Sequence, residues 1–182
     1  MIHFHKLIPI ALVASLAGCN LFSGQNTYPV RRVSDGDTIA VTQGDKTNVT
    51  VRFACIDAPE VPHSKKEKNS QKLLDKNQFN WGIKAQSRVQ QLINQGGDRV
   101  VLNITDTDRY GRQIAEVRLP NGTFVQENLV REGLALVNRP YLRYCPSKEI
   151  IEQAESDAKK NSRGVWIDPQ FVPPWDYRRI KK

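Results

Sequence analysis

Residues 47–60 read Thr-Asn-Val-Thr-Val-Arg-Phe-Ala-Cys-Ile-Asp-Ala-Pro-Glu, a stretch that predicts a β-strand followed by an acidic turn. Its apolar residues alternate and fall on one face of that strand: Val49, Val51, Phe53 and Cys55. An alternation of period two is the pattern of a half-buried strand, so we predict a strand over Thr47–Ile56. Pro59 cannot donate to a strand ladder, which is a structural reason for the strand to end before it.

Similar alternation on both sides of this stretch predicts about five strands in all. The other four are Tyr28–Val33, Thr38–Thr42, a strand with Val100, Leu102 and Ile104 on one face, and Gln113–Leu119. An Asn121-Gly122 turn, typical of hairpins, closes the last of them. Helices follow and separate these strands, and this order predicts an α+β fold, a small closed or nearly closed barrel with helices packed outside.

Helical spacing occurs three times. Apolar residues from Trp81 to Ile93 recur at helical intervals and stop at Gly96-Gly97. A short helix is predicted over about 126–132, and a longer one begins at Ser147 and ends before Gly164. The lysine-, serine- and asparagine-rich segment 62–77 is predicted as a mobile basic loop.

Composition restricts the function classes. The 182 residues carry 27 Lys and Arg against 19 Asp and Glu, a net charge of +8, and the mean hydropathy is −0.52. No apolar run reaches the roughly 18–20 residues of a membrane span, which excludes a polytopic membrane protein. A basic folded domain favours a polyanionic partner, either nucleic acid or an anionic membrane surface.

The first residues predict an export signal. A weakly cationic start precedes a short apolar run, and Leu16-Ala17-Gly18-Cys19 resembles the lipobox at which bacterial lipoproteins are cleaved and lipidated. We therefore expect a signal peptide at 1–18, a lipidated Cys19 with a polar tether at 19–27, and localisation on a bacterial membrane outside the cytoplasm. An ordinary secretory signal with an incidental cysteine is the alternative. Removal of residues 1–18 takes away Lys6 alone among charged residues, so the basic bias belongs to the mature domain.

Three short stretches carry the chemistry. They are Asp35-Gly36-Asp37-Thr38, Arg52-x4-Asp57-Ala58-Pro59-Glu60 and Asp106-Thr107-Asp108-Arg109-Tyr110-Gly111-Arg112. Each alone is consistent with a turn or a strand end. Together they predict converging carboxylates without His or Cys, which suit a hard cation such as Ca²⁺ or Mg²⁺. Two arginines beside such a site match phosphate oxygens, and the set is what phosphodiester hydrolysis requires.

This ordered set resembles the staphylococcal (micrococcal) nuclease or thermonuclease family. Further matches are Asn128-Leu129-Val130-x-x-Gly133-Leu134-Ala135 and Arg163-Gly164-Val165-Trp166, so the resemblance covers about 28–167. It implies an OB-fold barrel with three helices and a Ca²⁺-dependent endonuclease that cleaves DNA and RNA and leaves 3′-phosphate ends. The nuclease domain is accordingly expected at 28–168.

The resemblance also assigns roles residue by residue. Asp37, Asp57 and the backbone carbonyl of Ala58 match metal ligands, and Asp35 matches a carboxylate just behind them. Glu60 matches the carboxylate that positions or activates water, and Arg52 and Arg112 match two phosphate-binding arginines. Residues matching the substrate contacts are Arg109, Tyr110 and Tyr141. Arg139 stands where a second tyrosine is expected, so base stacking there is expected to give way to a phosphate or cation–π contact.

Two features fall outside the resemblance. Cys55 and Cys145 form an even pair in a chain predicted to be exported, so a disulfide is expected, with two isolated buried thiols as the alternative. Residues 169–182, with Pro173-Pro174-Trp175 and a basic end, are predicted as a solvated charged tail; electrostatic contact with nucleic acid or lipid is the alternative.

Two other functions compete with the nuclease. A non-catalytic OB-type module would bind nucleic acid through basic grooves and aromatic side chains, but it does not require the carboxylates present here. A structural lipoprotein could contact anionic envelope polymers through lysines 65, 66 and 68 and the C-terminal tail, which leaves the acidic cluster unexplained. We expect a monomer.

Overall fold

The computed structural model describes residues 26–44 and 47–182. The predicted signal peptide, Cys19 and most of the tether therefore lie outside the described residues. Within the described part, none of the helices combines the length and apolarity needed to cross a membrane.

Five strands close into a barrel in the order β1-β2-β3-β6-β5. The seven strands of the described chain are β1 (Thr27–Val33), β2 (Thr38–Gln43), β3 (Thr47–Phe53), β4 (Ile56–Asp57), β5 (Arg99–Thr107), β6 (Gln113–Arg118) and β7 (Leu136–Val137). Neighbours in the barrel are antiparallel except β3 and β6, which run parallel with Arg52 beside Ile114. The predicted α+β fold with a five-stranded OB-type barrel is confirmed.

The predicted strand Thr47–Ile56 is interrupted. Cys55 has a φ of 74°, in the left-handed region that a continuing strand does not allow, so β3 ends at Phe53. The chain turns and resumes as β4, which pairs antiparallel with β7 outside the barrel. This turn redirects Asp57 away from the barrel wall and toward the segment that follows β7.

Five α-helices of the described residues surround the barrel: α1 (Lys65–Lys68), α2 (Leu73–Gln95), α3 (Val125–Arg131), α4 (Lys148–Lys160) and α5 (Pro174–Ile180). Two 3-10 helices lie at Arg139–Tyr144 and Gly164–Ile167. The apolar face of α2 meets the barrel through buried residues that include Ala85, Val89 and Leu92. Buried Leu129 of α3 and Ile151 of α4 extend the same core. The three predicted helices are therefore present.

The prediction of a mobile loop over 62–77 is wrong for much of that segment. Ser64 caps α1, and its side chain and that of Glu67 form a reciprocal capping box. Helix α2 then begins at Leu73, well before Trp81, and its first turns bury Asp75, Gln78 and Phe79.

The C-terminal segment is not the solvated tail that its composition predicted. It forms α5, whose Pro174 and Tyr177 are buried. The Tyr177 hydroxyl donates to Asp75 Oδ1 at 3.0 Å, and Lys181 Nζ lies 3.1 Å from both oxygens of the same carboxylate. The Tyr177 ring also meets Phe79 edge to face, with centroids 6.1 Å apart. Helix α5 is therefore docked on the beginning of α2.

Candidate active site

The loop between β1 and β2 presents Asp37 to the interior. Asp35 Oδ1 accepts the backbone N–H of Asp37 at 2.9 Å, an Asx turn that fixes the loop. The Asp37 side chain is 2% exposed and accepts three different donors. These include the Thr38 hydroxyl at 3.0 Å and the Ala58 backbone N–H at 2.7 Å.

Arg52 joins two buried carboxylates. The register between β2 and β3 pairs Arg52 with Thr38, and Thr38 directly follows Asp37 in the sequence. Its Nη1 donates to Asp37 Oδ1 at 2.5 Å, and its Nη2 donates to Asp57 Oδ1 at 2.7 Å. Asp57 is 1% exposed, so the Arg52 guanidinium links two carboxylates that water scarcely reaches.

The protonation of this group reflects opposing effects. Burial raises the pKa of Asp37 to about 8, against the lowering effect of the Arg52 guanidinium, and the nearby carboxylates of Asp35 and Asp57 raise it further. Burial lowers the pKa of Arg52, but Asp37 and Asp57 raise it by more, so this pKa lies above its usual value. Ionised Asp37 is therefore costly in this buried site with Arg52 alone as its cationic partner, and a divalent cation bound there would favour the ionised form.

Glu60 stands at the edge of the same site and is only partly exposed. Its Oε1 accepts Nη1 of Arg178, from helix α5, at 2.6 Å. Arg178 also donates to Asp57, from Nη2 to Oδ2 at 2.5 Å and from Nη1 to Oδ1 at 3.2 Å. Sequence reasoning missed Arg178 because it lies 121 residues from Asp57, in a segment with no motif of its own.

Two glycines set the approach of the surrounding backbone. A Cβ on Gly82 of α2 would lie 2.0 Å from the Glu60 carbonyl oxygen and 2.8 Å from that of Pro59. A Cβ on Gly36 would lie 2.6 Å from Ala85 Cβ and 2.7 Å from Ala58 Cβ. Side chains at these positions would push the carboxylate-bearing loops off the helix. The sequence feature that points to a close approach at Gly82 is the presence of a glycine inside a strongly helical pattern.

Arg112 makes its contacts with a different residue from those of the carboxylate site. Its Nε donates to Asp108 Oδ2 at 2.7 Å, and its Nη2 forms an ion pair with the same oxygen at 2.7 Å, within the loop that joins β5 to β6. Among the described residues, no hydrogen bond or ion pair joins Arg112 to Asp37, Asp57 or Glu60. Arg109 and Tyr110 are exposed in the same loop, with Arg109 Nη2 donating to the Tyr110 hydroxyl at 2.7 Å.

The segment after β7 holds the last two predicted substrate contacts. Tyr141 is 63% exposed. Arg139 pairs with Glu152 at 2.7 Å and with the buried carboxylate of Glu155. Both side chains line a cavity of about 460 Å³ that reaches Asp57. Arg139 is thus held in place by acids of α4, which lowers the positive charge it offers to a ligand.

Cys55 and Cys145 form a disulfide with their Cα atoms 5.6 Å apart. Cys145 directly follows the 3-10 helix that carries Tyr141, and Cys55 precedes β4. The bond therefore ties the segment of Tyr141 to the strand of Asp57. The Asn138 backbone N–H, which donates to the Cys55 carbonyl at 2.9 Å, reinforces the same junction.

The donor chemistry of the site fits a hard divalent cation. Asp37 and Asp57 are buried carboxylates next to Ala58, and oxygen ligands of this kind suit Ca²⁺ or Mg²⁺. Among described residues, the one group of three His, Cys, Asp or Glu side chains with ligand atoms within 4.8 Å of each other is Cys55, Glu116 and Cys145. The two cysteines of that group form the disulfide, so they have no free thiol to offer a metal ion. Asp37, Asp57 and Glu60 do not form such a group among these residues.

Comparison with known proteins agrees with this geometry. The sequence model of the staphylococcal nuclease homologue family matches residues 50–168. An uncharacterized endonuclease of Escherichia coli O157:H7 is 32% identical over 84% of this chain and 84% of its own length. A micrococcal nuclease of Shigella flexneri is 29% identical over 95% and 90%, respectively. A thermonuclease of Staphylococcus hyicus is 31% identical over 79% and 78%.

Proposed function

Because the chain belongs to the staphylococcal nuclease family and is an endonuclease, we propose that it hydrolyses DNA and RNA with the help of Ca²⁺ and leaves 3′-phosphate ends. The observation that carries this proposal is the bridge of Arg52 between buried Asp37 and Asp57, with Glu60 beside it. The two buried carboxylates provide oxygen ligands for a cation, and the Arg52 guanidinium between them provides N–H donors for phosphate.

The ion would be held by Asp37, Asp57 and the backbone carbonyl of Ala58. When bound, Ca²⁺ supplies charge neutralisation for the phosphodiester and a lower pKa for nearby water. Asp35 contributes by fixing the backbone of Asp37 through the 2.9 Å hydrogen bond. These residues therefore bring oxygen ligands together before any substrate arrives.

Glu60 serves as the acceptor for a proton of the attacking water. Its side chain is 26% exposed, against 1% for Asp57, so water has access to its carboxylate. In-line attack forms the new bond between water oxygen and phosphorus while the bond from phosphorus to the 5′-oxygen breaks. The proton of the attacking water passes to Glu60, and the departing 5′-oxygen takes a proton from solvent, so the products are a 3′-phosphate and a 5′-hydroxyl.

The arginines stabilise the charge that develops on the phosphate. Arg52 uses one N–H from each terminal nitrogen for the carboxylates, and its remaining N–H groups are available to phosphate oxygens. Arg112 acts from the β5–β6 loop after exchanging its contact with Asp108 for the substrate. Planar guanidinium groups match phosphate oxygens with paired N–H donors, which favours them here over lysine.

Exposed groups bind the nucleic acid on either side of the reacting phosphate. Arg109 and Tyr110 offer a cation and a ring in the β5–β6 loop, with Arg109 4.8 Å from the Tyr110 ring centroid. Tyr141 offers a ring to a base on the other side.

The test is digestion of single-stranded DNA, duplex DNA and RNA by residues 26–182, with Ca²⁺, with Mg²⁺ and with a chelator. We expect cleavage that depends on Ca²⁺ and products whose 3′ ends are blocked until a phosphatase removes the phosphate. Asp37→Ala should lose Ca²⁺ binding and cleavage together. Full activity in excess chelator would contradict the metal assignment, and 3′-hydroxyl products would contradict the bond assignment.

We also propose that the enzyme is exported and anchored through a lipid on Cys19. The support is the sequence Leu16-Ala17-Gly18-Cys19 after a short apolar run. Mass spectrometry of the protein extracted from bacterial membranes should find an N-terminal, acylated Cys19. Cys19→Ala should release the protein from the membrane fraction, and an unmodified thiol at residue 19 would contradict the proposal.

A further inference from the structure

We propose that helix α5 forms a second part of the nucleic-acid site, in which Trp175 stacks on a base and Arg179 binds a phosphate of the strand. This inference rests on the proposed nuclease function and adds to it a segment outside the matched family region, residues 50–168. The reasons are the position of α5, the cavity that it lines and the charge around that cavity.

Helix α5 is fixed beside the catalytic carboxylates. Tyr177 and Lys181 attach one side of the helix to Asp75, which is 2% exposed. Arg178, between them in sequence, reaches Asp57 and Glu60. A helix anchored at both places has a defined orientation toward the site.

The cavity of about 460 Å³ lies where α5 faces the segment after β7. Its volume falls within the range of about 300–1,000 Å³ that is usual for small-ligand sites, and is enough for a nucleotide. Two aromatic side chains from different elements line it: Tyr141 from the 3-10 helix and Trp175 from α5. Aromatic rings are the groups on which unpaired bases stack, whatever the base.

The charge of the lining favours a polyanion. Asp57, Arg139, Arg178 and Arg179 are the charged residues of the lining. Arg139 and Arg178 are paired with carboxylates at short range. Arg179 makes only a 3.4 Å contact with Asp176 among described residues, and its side chain is 79% exposed, so its charge is available to a phosphate.

The cavity also adjoins the reacting centre, because Asp57 belongs to both. A strand whose phosphate lies at Arg52 and Glu60 can therefore continue into the cavity without leaving the protein surface. The expected ligand is thus one nucleotide of a single-stranded segment next to the scissile bond. Duplex DNA, whose bases are stacked on each other, would have to open locally to use this subsite.

The experiment measures binding and catalysis separately in Trp175→Ala, Trp175→Phe and Arg179→Ala. Binding of a short fluorescein-labelled oligothymidylate is followed by anisotropy in the presence of chelator, and KM and kcat on single-stranded DNA are measured with Ca²⁺. We expect Trp175→Ala to weaken binding and raise KM about tenfold with kcat changed by less than about threefold, since stacking of one base is worth that much. Trp175→Phe should retain most of the binding.

Arg131→Ala is the matched control for Arg179→Ala, because Arg131 is also a helical arginine paired with an acid of its own helix, Glu127. We expect Arg179→Ala to weaken oligonucleotide binding severalfold and Arg131→Ala to leave it unchanged. Arg179 is too exposed for its loss to unfold the protein, so this comparison holds even if Trp175→Ala is unstable.

Unchanged oligonucleotide binding in both Trp175→Ala and Arg179→Ala would overturn the subsite. So would equal effects of Arg179→Ala and Arg131→Ala. If the wild-type protein failed to cleave with Ca²⁺ yet lost binding on Trp175→Ala, the catalytic proposal would fail and the subsite would stand. Normal Ca²⁺-dependent cleavage by the wild type, with unaltered binding in the variants, would leave the catalytic proposal standing and remove the subsite.

Discussion

Arg178 donates to both carboxylate oxygens of Asp57, at 2.5 and 3.2 Å, across 121 residues of sequence. Asp57 is also the carboxylate that we assign to the Ca²⁺ site. A guanidinium and a divalent cation cannot fully engage the same two oxygens, so the two compete.

Arg178→Ala should therefore bind Ca²⁺ about tenfold more tightly than the wild type, since a hydrogen bond to a charged group contributes about 1.5–3 kcal/mol. Calorimetric titration with Ca²⁺ in the absence of nucleic acid measures this directly. Arg179→Ala, which removes a neighbouring charge without touching Asp57, should change the affinity little. Weaker Ca²⁺ binding by Arg178→Ala would show that Arg178 supports the ion site.

The two phosphate-binding arginines should differ in their effect on stability. A lysine at position 52 cannot span Asp37 and Asp57, so Arg52→Lys should lose about 1–3 kcal/mol of unfolding free energy. Arg112→Lys loses only a partly exposed pair with Asp108, and its stability should change by less than about 1 kcal/mol. Both should lower kcat by roughly a hundredfold. Thermal unfolding and single-turnover kinetics separate the two effects, and near-native turnover in Arg112→Lys would remove Arg112 from the catalytic set.

Glu60→Gln should reduce turnover far more than folding. The amide keeps the size of the side chain but cannot accept a proton, so kcat should fall by roughly a hundredfold or more. Stability should stay within about 1 kcal/mol, because Glu60 is partly exposed and makes an ion pair of the surface type with Arg178. We also expect Glu60→Gln to bind Ca²⁺ with the affinity of the wild type. A loss of affinity as severe as in Asp37→Ala would make Glu60 a direct ligand.

Gly82→Ala tests whether the close approach of α2 positions Glu60. The added Cβ would lie 2.0 Å from the Glu60 carbonyl oxygen, so the loop must shift. A misplacement of about 1 Å costs on the order of a hundredfold in rate, and we expect kcat to fall by about that factor. Exposed Ile83→Ala on the same helix is the control and should retain its activity. Equal kcat in Gly82→Ala and Ile83→Ala would show that the loop adapts without consequence.

Asp75→Ala should release helix α5. The substitution removes the carboxylate that accepts from Ser70, Tyr177 and Lys181, which should lower the unfolding free energy by about 1–3 kcal/mol at neutral pH. Limited proteolysis should then cut near 169–173. If α5 stayed protected from proteolysis in Asp75→Ala, its apolar contacts would be sufficient to hold it on α2.

The same residue gives a pH signature. Burial raises the pKa of Asp75, but hydrogen bonds from Ser70, Lys181 and Tyr177 lower it by more, so its net position is below the usual 3.8. A carboxyl with a depressed folded-state pKa stabilises above its unfolded pKa and loses that contribution as pH falls through the folded value. The melting temperatures of the wild type and Asp75→Ala should therefore differ at pH 7 and converge below about pH 4.

The spacing of apolar residues along the sequence correctly predicted secondary structure that depends on neighbouring residues. The alternation of Val49, Val51 and Phe53 identified a barrel strand, and the helical spacing from Trp81 to Ile93 identified most of α2. The convergence of Asp37, Arg52 and Asp57 was expected, and the structure brings these three together. Their catalytic roles, like those of Glu60 and Arg112, stay predictions.

What local patterns missed depends on distant partners. Segment 62–77 has the composition of a loop, yet Asp75 at its end is buried by Tyr177 and Lys181, more than a hundred residues away. The single local sign was the Ser64-x-x-Glu67 capping box. Helix α5 is likewise short and basic, and its place is fixed by contacts with distant residues such as Asp75, Phe79 and Asp57. No periodicity within 169–182 carries that information.

The disulfide between Cys55 and Cys145 would keep the chain in one covalent piece after a single peptide-bond cleavage between them. It closes the backbone from Cys55 to Cys145 into a covalent ring, and Asp57, Glu60, Arg112 and Tyr141 all belong to that ring. Many residues from 63 to 73 are exposed, which makes this stretch a natural point of attack for a peptidase. A single nick there opens the ring but leaves both pieces joined in one molecule. If the protein is exported, as we propose, the disulfide would keep the two pieces of its site covalently joined through a first cut by a peptidase.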